Sequence, residues 1–310
     1  MTDLANALDA TGECSLVRFR TLSNPQSPDE RRLAGRWLWA PLWRRSLGPS
    51  LDRPGSLDVI HLAGRATPPT KSTPLVISVD DLRPLRGESG ERQRITQLRR
   101  AVVRGAVLVA STRSASHEVQ RVLGVDRARV VVVPPAVPLV QPTTDGTDLV
   151  VNLTGVLDPF LRLAPALVDF ARQRSADVVA VTSANVAQRI RSLGLQVTLR
   201  SRSEARRALA DARVVLHVSD GARFPSFAIA ALTAGVPTIA RATTINRELL
   251  SGAAALTESD EEVLPTLLEL WESPSRRAIM IAAGRSRAED FAPATAARAY
   301  LSLYHDVVRG

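Results

Sequence analysis

A chain of 310 residues, 45% of them hydrophobic, can bury a substantial core and suggests two domains. Its apolar runs stop short of the roughly 20 residues that a membrane-spanning helix needs, and residues 1–10 lack the basic-then-apolar order of a signal peptide. The formal charge of +9 favours anionic partners, but basic residues run along the whole chain, almost all of them arginine, and no zinc-ligand spacing or RNA-recognition aromatic pattern accompanies them, so nucleic acid is not an expected partner.

The single cysteine, Cys14, cannot close an intrachain disulfide, which fits a reducing cytoplasm; beside a strand-like run it reads as a packing group. Leu4, Ala7 and Leu8 fall on one helical face, with Thr2 or Asp3 as cap and Gly12 as stop, and a strand follows at Ser15–Phe19. Trp37, Trp39 and Trp43 stand among Arg31, Arg32, Arg36, Arg44 and Arg45. This stretch suits either peripheral contact with an anionic membrane or packing of the tryptophans in the first domain.

Further along, helical and strand patterns alternate, the signature of an α/β protein with mainly parallel sheets. Leu75–Val79 reads as a buried strand, residues 92–104 as a helix and Val107–Ala110 as the next strand. A helix from Ser114 to Leu123, capped by Ser114 or Ser116 and closed by Gly124, precedes a strand at Val130–Val133. The polar stretch from Gln141 to Asp148 reads as an interdomain linker. Strands are then expected at Leu149–Leu153, Val178–Val181, Gln196–Leu199, Val214–Val218 and Pro237–Ala240, with helices such as Leu163–Arg174 and Ser203–Ala212 between them. Two doubly wound halves place ligands at the carboxyl ends of their strands.

Several segments, in order, resemble glycosyltransferase family 4. Residues 58–61, the Pro68-Pro69 pair and residues 76–82 are similar to the family's run ending in His-Asp-Leu; residues 109–124 with 130–137 resemble its crossing from the N-terminal domain. Residues 153–157 resemble the first strand and turn of the donor domain, and 203–219 the helix and strand before the donor signature. Ala231 to Ile239 resembles the Ala-x-Gly-x-Pro segment, 247–254 resembles Pro-Glu-x-x-Gly-x-Ala-Ala, and 283–304 resembles the closing helix.

Covering roughly residues 55–305, the resemblance implies a GT-B fold of two Rossmann-like domains facing a cleft. The expected bounds are an acceptor-side domain at 1–142, a donor-side domain at 149–290, and a C-terminal helix at 291–310 packing back toward the first domain. It also implies a retaining, metal-independent transfer, without a cofactor, from a nucleotide-sugar donor to a glycan or lipid-linked acceptor. The family opens with a strand and a glycine-rich loop, whereas this chain opens within the following helix, so the first strand is expected to be missing.

The donor signature departs from the family. Its two glutamates, eight positions apart, fall on Ala222 and Ala230, which offer no acceptor to sugar or ribose hydroxyls. The glycine-rich turn between them reads Arg223-Phe224-Pro225-Ser226-Phe227, where Pro225 removes an N–H. No lysine follows Gly155, leaving Arg162 as the candidate phosphate contact, and the family's cleft histidine is Asp80. Donor-binding candidates are therefore Gly155, Arg162, Ser219, Asp220, Arg223 and Phe224, with His61, Asp80 and Arg113 as acceptor or cleft candidates. His61 and His217 also fit the plainer part of satisfied strand histidines, and Glu248 that of ordering a turn. Two functions follow: a cytoplasmic glycosyltransferase, peripheral on the inner membrane face, with a drifted pocket; or an inactive GT-B subunit assembling beside an active glycosyltransferase.

Overall fold

The computed structural model describes residues 2–20, 30–32, 42–43, 50, 52, 57–63, 69–70, 72–79, 92–141, 146–154, 157–219, 221 and 223–310. The chain divides into two compact units, Met1–Ala136 with Pro293–Gly310, and Val137–Ala292.

In the first unit, β1 (Arg18–Arg20) and β2 (Glu30–Arg32) form a short parallel pair. A four-stranded parallel sheet is built from β3 (Ile60–Leu62), β4 (Leu75–Val79), β5 (Val107–Ala110) and β6 (Val130–Val132), in that order. β4 is buried at every position, as expected for a strand covered on both faces. Helix α1 (Thr2–Thr11) lays Leu4 and Leu8 against Val76, Val107 and Val109 together with Tyr300 and Leu301. Burial of each leucine contributes about 2 kcal/mol.

α2 (Arg92–Val103) and α3 (Arg113–Leu123) connect β4 to β5 and β5 to β6. The cap of α3 is Thr112, two and four residues ahead of the expected serines Ser114 and Ser116. Its extended backbone lets Oγ1 accept from the Ala115 N–H at 2.9 Å, while Ser116 lies inside the helix and accepts from Gln120. Gly124 closes α3 in the left-handed conformation, as its sequence position implies.

The second unit holds six parallel strands: β7 (Asp148–Thr154), β8 (Val178–Thr182), β9 (Thr198–Ser201), β10 (Ala212–Ser219), β11 (Thr238–Arg241) and β12 (Ala255–Thr257). Their order is β12-β11-β10-β7-β8-β9, the doubly wound arrangement whose winding reverses between β7 and β10. One face packs on α4 (Asp158–Arg172), α9 (Val263–Glu272) and α10 (Pro274–Ala288) through Leu149, Val151, Phe160, Leu167, Leu267 and Met280. The other face meets α6 (Ala205–Ala210) and α7 (Ser226–Thr233). α5 (Ala184–Ser192) and α8 (Thr244–Leu250) complete the unit.

The chain enters the second unit ahead of the polar stretch: the Val137 N–H donates to Phe291 O at 2.9 Å, and the buried Val140 donates to Thr233 Oγ1 at 3.2 Å. The expected closing helix over 283–304 is two helices, α10 and α11 (Pro293–Arg309). Proline at 293 disfavours helical backbone at the preceding residue, and Ala292 is accordingly extended with ψ 143°. α11 belongs to the first unit and packs against α1.

Candidate functional site

The reversal between β7 and β10 opens a crevice at their carboxyl ends, where open α/β sheets bind ligands. Thr154 and Ser219 are register partners there. Ser219 is buried, and its Oγ accepts from the Gly221 N–H at 3.1 Å. Gly221 turns the chain at φ +67°; a Cβ there would stand 2.9 Å from Thr243 Cβ, so the turn requires glycine. The half-buried Arg223 and the buried Phe224 follow, the latter set edge-on to Phe291 at 5.7 Å between ring centroids.

α7 begins immediately afterward. Pro225 occupies its cap position and supplies no side-chain acceptor, while its carbonyl takes the Ile229 N–H at 3.1 Å. Ser226 is exposed on the first turn, and Ala230 is half-buried one turn further. The first turn of a helix directs N–H groups and a partial positive charge toward this edge, chemistry suited to phosphate oxygens.

Arg162 lies on α4 and is engaged by a group that sequence reasoning missed. Its Nε is 2.7 Å from Asp260 Oδ2, and Arg241 Nη1 is 2.7 Å from Asp260 Oδ1. Burial acts to raise the Asp260 pKa, but the hydrogen bonds and charges of Arg162 and Arg241 outweigh it and hold the carboxyl below its ordinary value. The group is an Arg–Asp–Arg triad of net charge +1, with Arg241 on the last position of β11.

Beneath the crevice, on adjacent central strands, Asn152 Nδ2 and His217 Nδ1 stand 2.9 Å apart, both buried. An Asn N–H donated to Nδ1 places the imidazole proton on Nε2, which has no hydrogen-bond partner among the described residues. Burial pushes the His217 pKa down to about 4, so the ring is neutral at pH 7. Asn152 also escaped sequence reasoning: it is the register partner of His217, a pairing fixed by the sheet and carried by no local sequence signal.

In the first unit, His61 sits at the centre of β3 with both ring nitrogens occupied, Nδ1 at 2.7 Å from the Tyr304 hydroxyl and Nε2 at 2.8 Å from Ser78 Oγ. Burial lowers its pKa to about 4 and raises that of the Tyr304 phenol. The histidine thus joins α11 to the sheet. Arg113 is exposed at the first position of α3, next to the carboxyl end of β5. Gly155, Asp220, Ala222 and Asp80 lie outside the described residues, as do Trp37, Trp39, Arg36, Arg44 and Arg45 of the basic-aromatic stretch; Trp43 is buried. Among the described residues, no group of three His, Cys, Asp or Glu side chains is arranged to hold a metal ion, and no helix is long and apolar enough to cross a membrane.

WaaG, a glycosyltransferase involved in lipopolysaccharide biosynthesis, superposes with a TM-score of 0.69 at 14% identity, over 98% of this chain and 94% of its own. A glycosyltransferase from Rickettsia africae matches with a TM-score of 0.65 at 12% identity, over 99% and 88%. HepE of Anabaena, solved with UDP and glucose, matches with a TM-score of 0.63 at 16% identity, over 75% and 71%. The fold is GT-B. No protein-family model matches the chain, and no curated protein matches it significantly.

Proposed function

We propose that this protein binds a nucleotide sugar at the carboxyl ends of β7 and β10 and acts as a retaining glycosyltransferase on a glycan or lipid-linked acceptor. The observation that carries the reading is the winding reversal, with its Ser219–Gly221 turn leading directly into the first turn of α7. HepE, of the same fold, was solved with UDP-glucose as well as with UDP and glucose. In this reading the second unit holds the donor diphosphate through α7, Arg223 and Arg162, and the first unit receives the acceptor on the cytoplasmic face of the membrane.

A second reading is a GT-B subunit without turnover. It is favoured by alanine at 222 and 230 and by the engagement of Arg162 with Asp260. The structure of accessory secretory proteins 1, 2 and 3 of Streptococcus pneumoniae also resembles this chain, with a TM-score of 0.53 at 14% identity over 77% of this chain and 50% of that one. Calorimetric titration with UDP-, GDP- and ADP-sugars tests the shared premise: one should bind, and binding by none would sink the transferase reading. A donor that binds but releases no nucleoside diphosphate when glycan and lipid extracts are supplied would favour the second reading.

A further inference from the structure

The amino ends of the second unit's strands hold a small cavity that is separate from the donor crevice at their carboxyl ends. It lies where β10 and β11 begin, between the ends of α6 and α7 and the first half of α10, and its volume is about 70 Å³. Leu209, Ala234, Val236 and Pro237 form apolar parts of its wall, and Arg213 and Arg277 line it beside them. Among the described residues, no lining side chain is acidic. β10 runs about 20 Å from Arg213 to Ser219, so the cavity and the crevice stand at opposite ends of one strand.

Backbone carbonyls fix both guanidiniums. Arg213 Nη2 donates to Trp271 O at 2.9 Å, while Arg277 Nη1 donates to Leu270 O at 3.0 Å and to Trp271 O at 2.8 Å. The two cations thereby cap the carboxyl end of α9 and are held side by side by one shared carbonyl. Arg213 also stands over the Trp271 ring, 5.2 Å from its centroid. Its Nε is buried, and neither Nε nor Nη1 has a hydrogen-bond partner among the described residues. The two acids of α9 are engaged by other arginines, Glu269 with Arg276 at 3.2 Å and Glu272 with Arg174 at 2.8 Å. A third guanidinium, that of Arg285, lies against Gly235 on the cavity wall, where an added Cβ would meet it at 2.6 Å.

We propose that this cavity binds a phosphate dianion, either inorganic phosphate or the head of a small phosphate monoester. Two guanidiniums held in place match a tetrahedral dianion in charge and in donor geometry. By the space that one water needs, the cavity takes about five non-hydrogen atoms, the size of a phosphate group and too little for a nucleotide or a sugar ring. Its apolar wall lowers the local dielectric and strengthens each ionic contact. The cavity is open to solvent, so the organic part of a monoester stays outside it. A carboxylate is planar and carries half the charge, and fits the pair less well.

The test is calorimetric titration of the full chain with sodium phosphate, with glycerol 3-phosphate and with acetate, at an ionic strength held constant by chloride. Phosphate should fill one saturable site, and acetate should bind at least about tenfold more weakly. Tighter binding of glycerol 3-phosphate than of phosphate assigns the site to a monoester, and the reverse assigns it to the free ion. R213Q and R277Q should each weaken phosphate binding by about tenfold or more. Both arginines also cap α9, so a second pair of variants keeps the caps intact. Ile281→Glu sets a carboxylate in the lining and should abolish binding, whereas Ile281→Gln, of the same size, should retain most of it. Circular dichroism checks that each variant folds. Arg162→Ala, which alters the donor crevice, should leave phosphate affinity unchanged. Absence of a saturable site, equal binding of acetate, or a loss caused by Arg162→Ala and not by Ile281→Glu would overturn the proposal. Nucleotide-sugar titration of Ile281→Glu should match that of the parent chain, so the donor reading stands or falls separately.

Discussion

Asp260 holds two guanidiniums at once, and that arrangement governs what Arg162 can do. A carboxylate so placed competes with any phosphate for the same donors, although the pair is solvent-screened and adds little to stability. If Arg162 serves the donor, Asp260→Asn should tighten nucleoside diphosphate binding several-fold and Arg162→Ala should weaken it, both read by calorimetry; no change in either would remove the triad from the site. His217 makes a different prediction. Its folded pKa of about 4 lies below the ordinary value of about 6.5. Between those values the unfolded chain binds more protons, so stability is fully present above about pH 6.5 and falls as the pH drops toward 4. The upper bound is about 3 kcal/mol. Urea unfolding at pH 7.5, 5.5 and 4.5 should show this slope, and the N152L/H217L variant should flatten it; His61, also lowered to about 4, supplies a further part that the variant retains.

At the scale of elements, the clearest case is the end of α7. Val236 N–H donates to Ala231 O at 2.9 Å and Gly235 N–H to Leu232 O at 3.0 Å, the paired bonds of a Schellman closure, with Gly235 at φ +71°. The Gly-x-Pro spacing is therefore a helix stop as much as a family resemblance. A Cβ on Gly235 would come within 2.6 Å of the Arg285 guanidinium. Gly235→Ala should cost about 1–2 kcal/mol from the left-handed backbone alone, measurable as a lower urea midpoint with an unchanged m-value. Helix and strand identities were legible because period and punctuation are local. Where the reading failed, a local rule was overlooked: Thr112 precedes the serines expected as the α3 cap, and Pro293 divides the expected closing helix in two.

At the scale of the molecule, the two units differ in how the chain builds them. The second is one continuous stretch with its own six-stranded sheet, whereas the first needs Pro293–Gly310 to finish its core. A fragment of residues 137–292 should unfold cooperatively on its own. Deleting residues 293–310 should uncover Val76, Val107 and Val109 and leave the first unit prone to aggregation, detectable by light scattering. Partial unfolding of the isolated fragment without a cooperative transition would show that this unit depends on the rest of the chain.

The alternation of elements, the α/β class and the helix stops are determined by the sequence itself, since each depends on neighbours a few residues apart. The likeness to glycosyltransferases was also legible there, through motifs such as Gly235-Val236-Pro237. What stands beside what was decided only by tertiary structure. Asn152 meets His217 across 65 residues and Arg162 meets Asp260 across 98, because parallel crossovers choose strand neighbours over long separations.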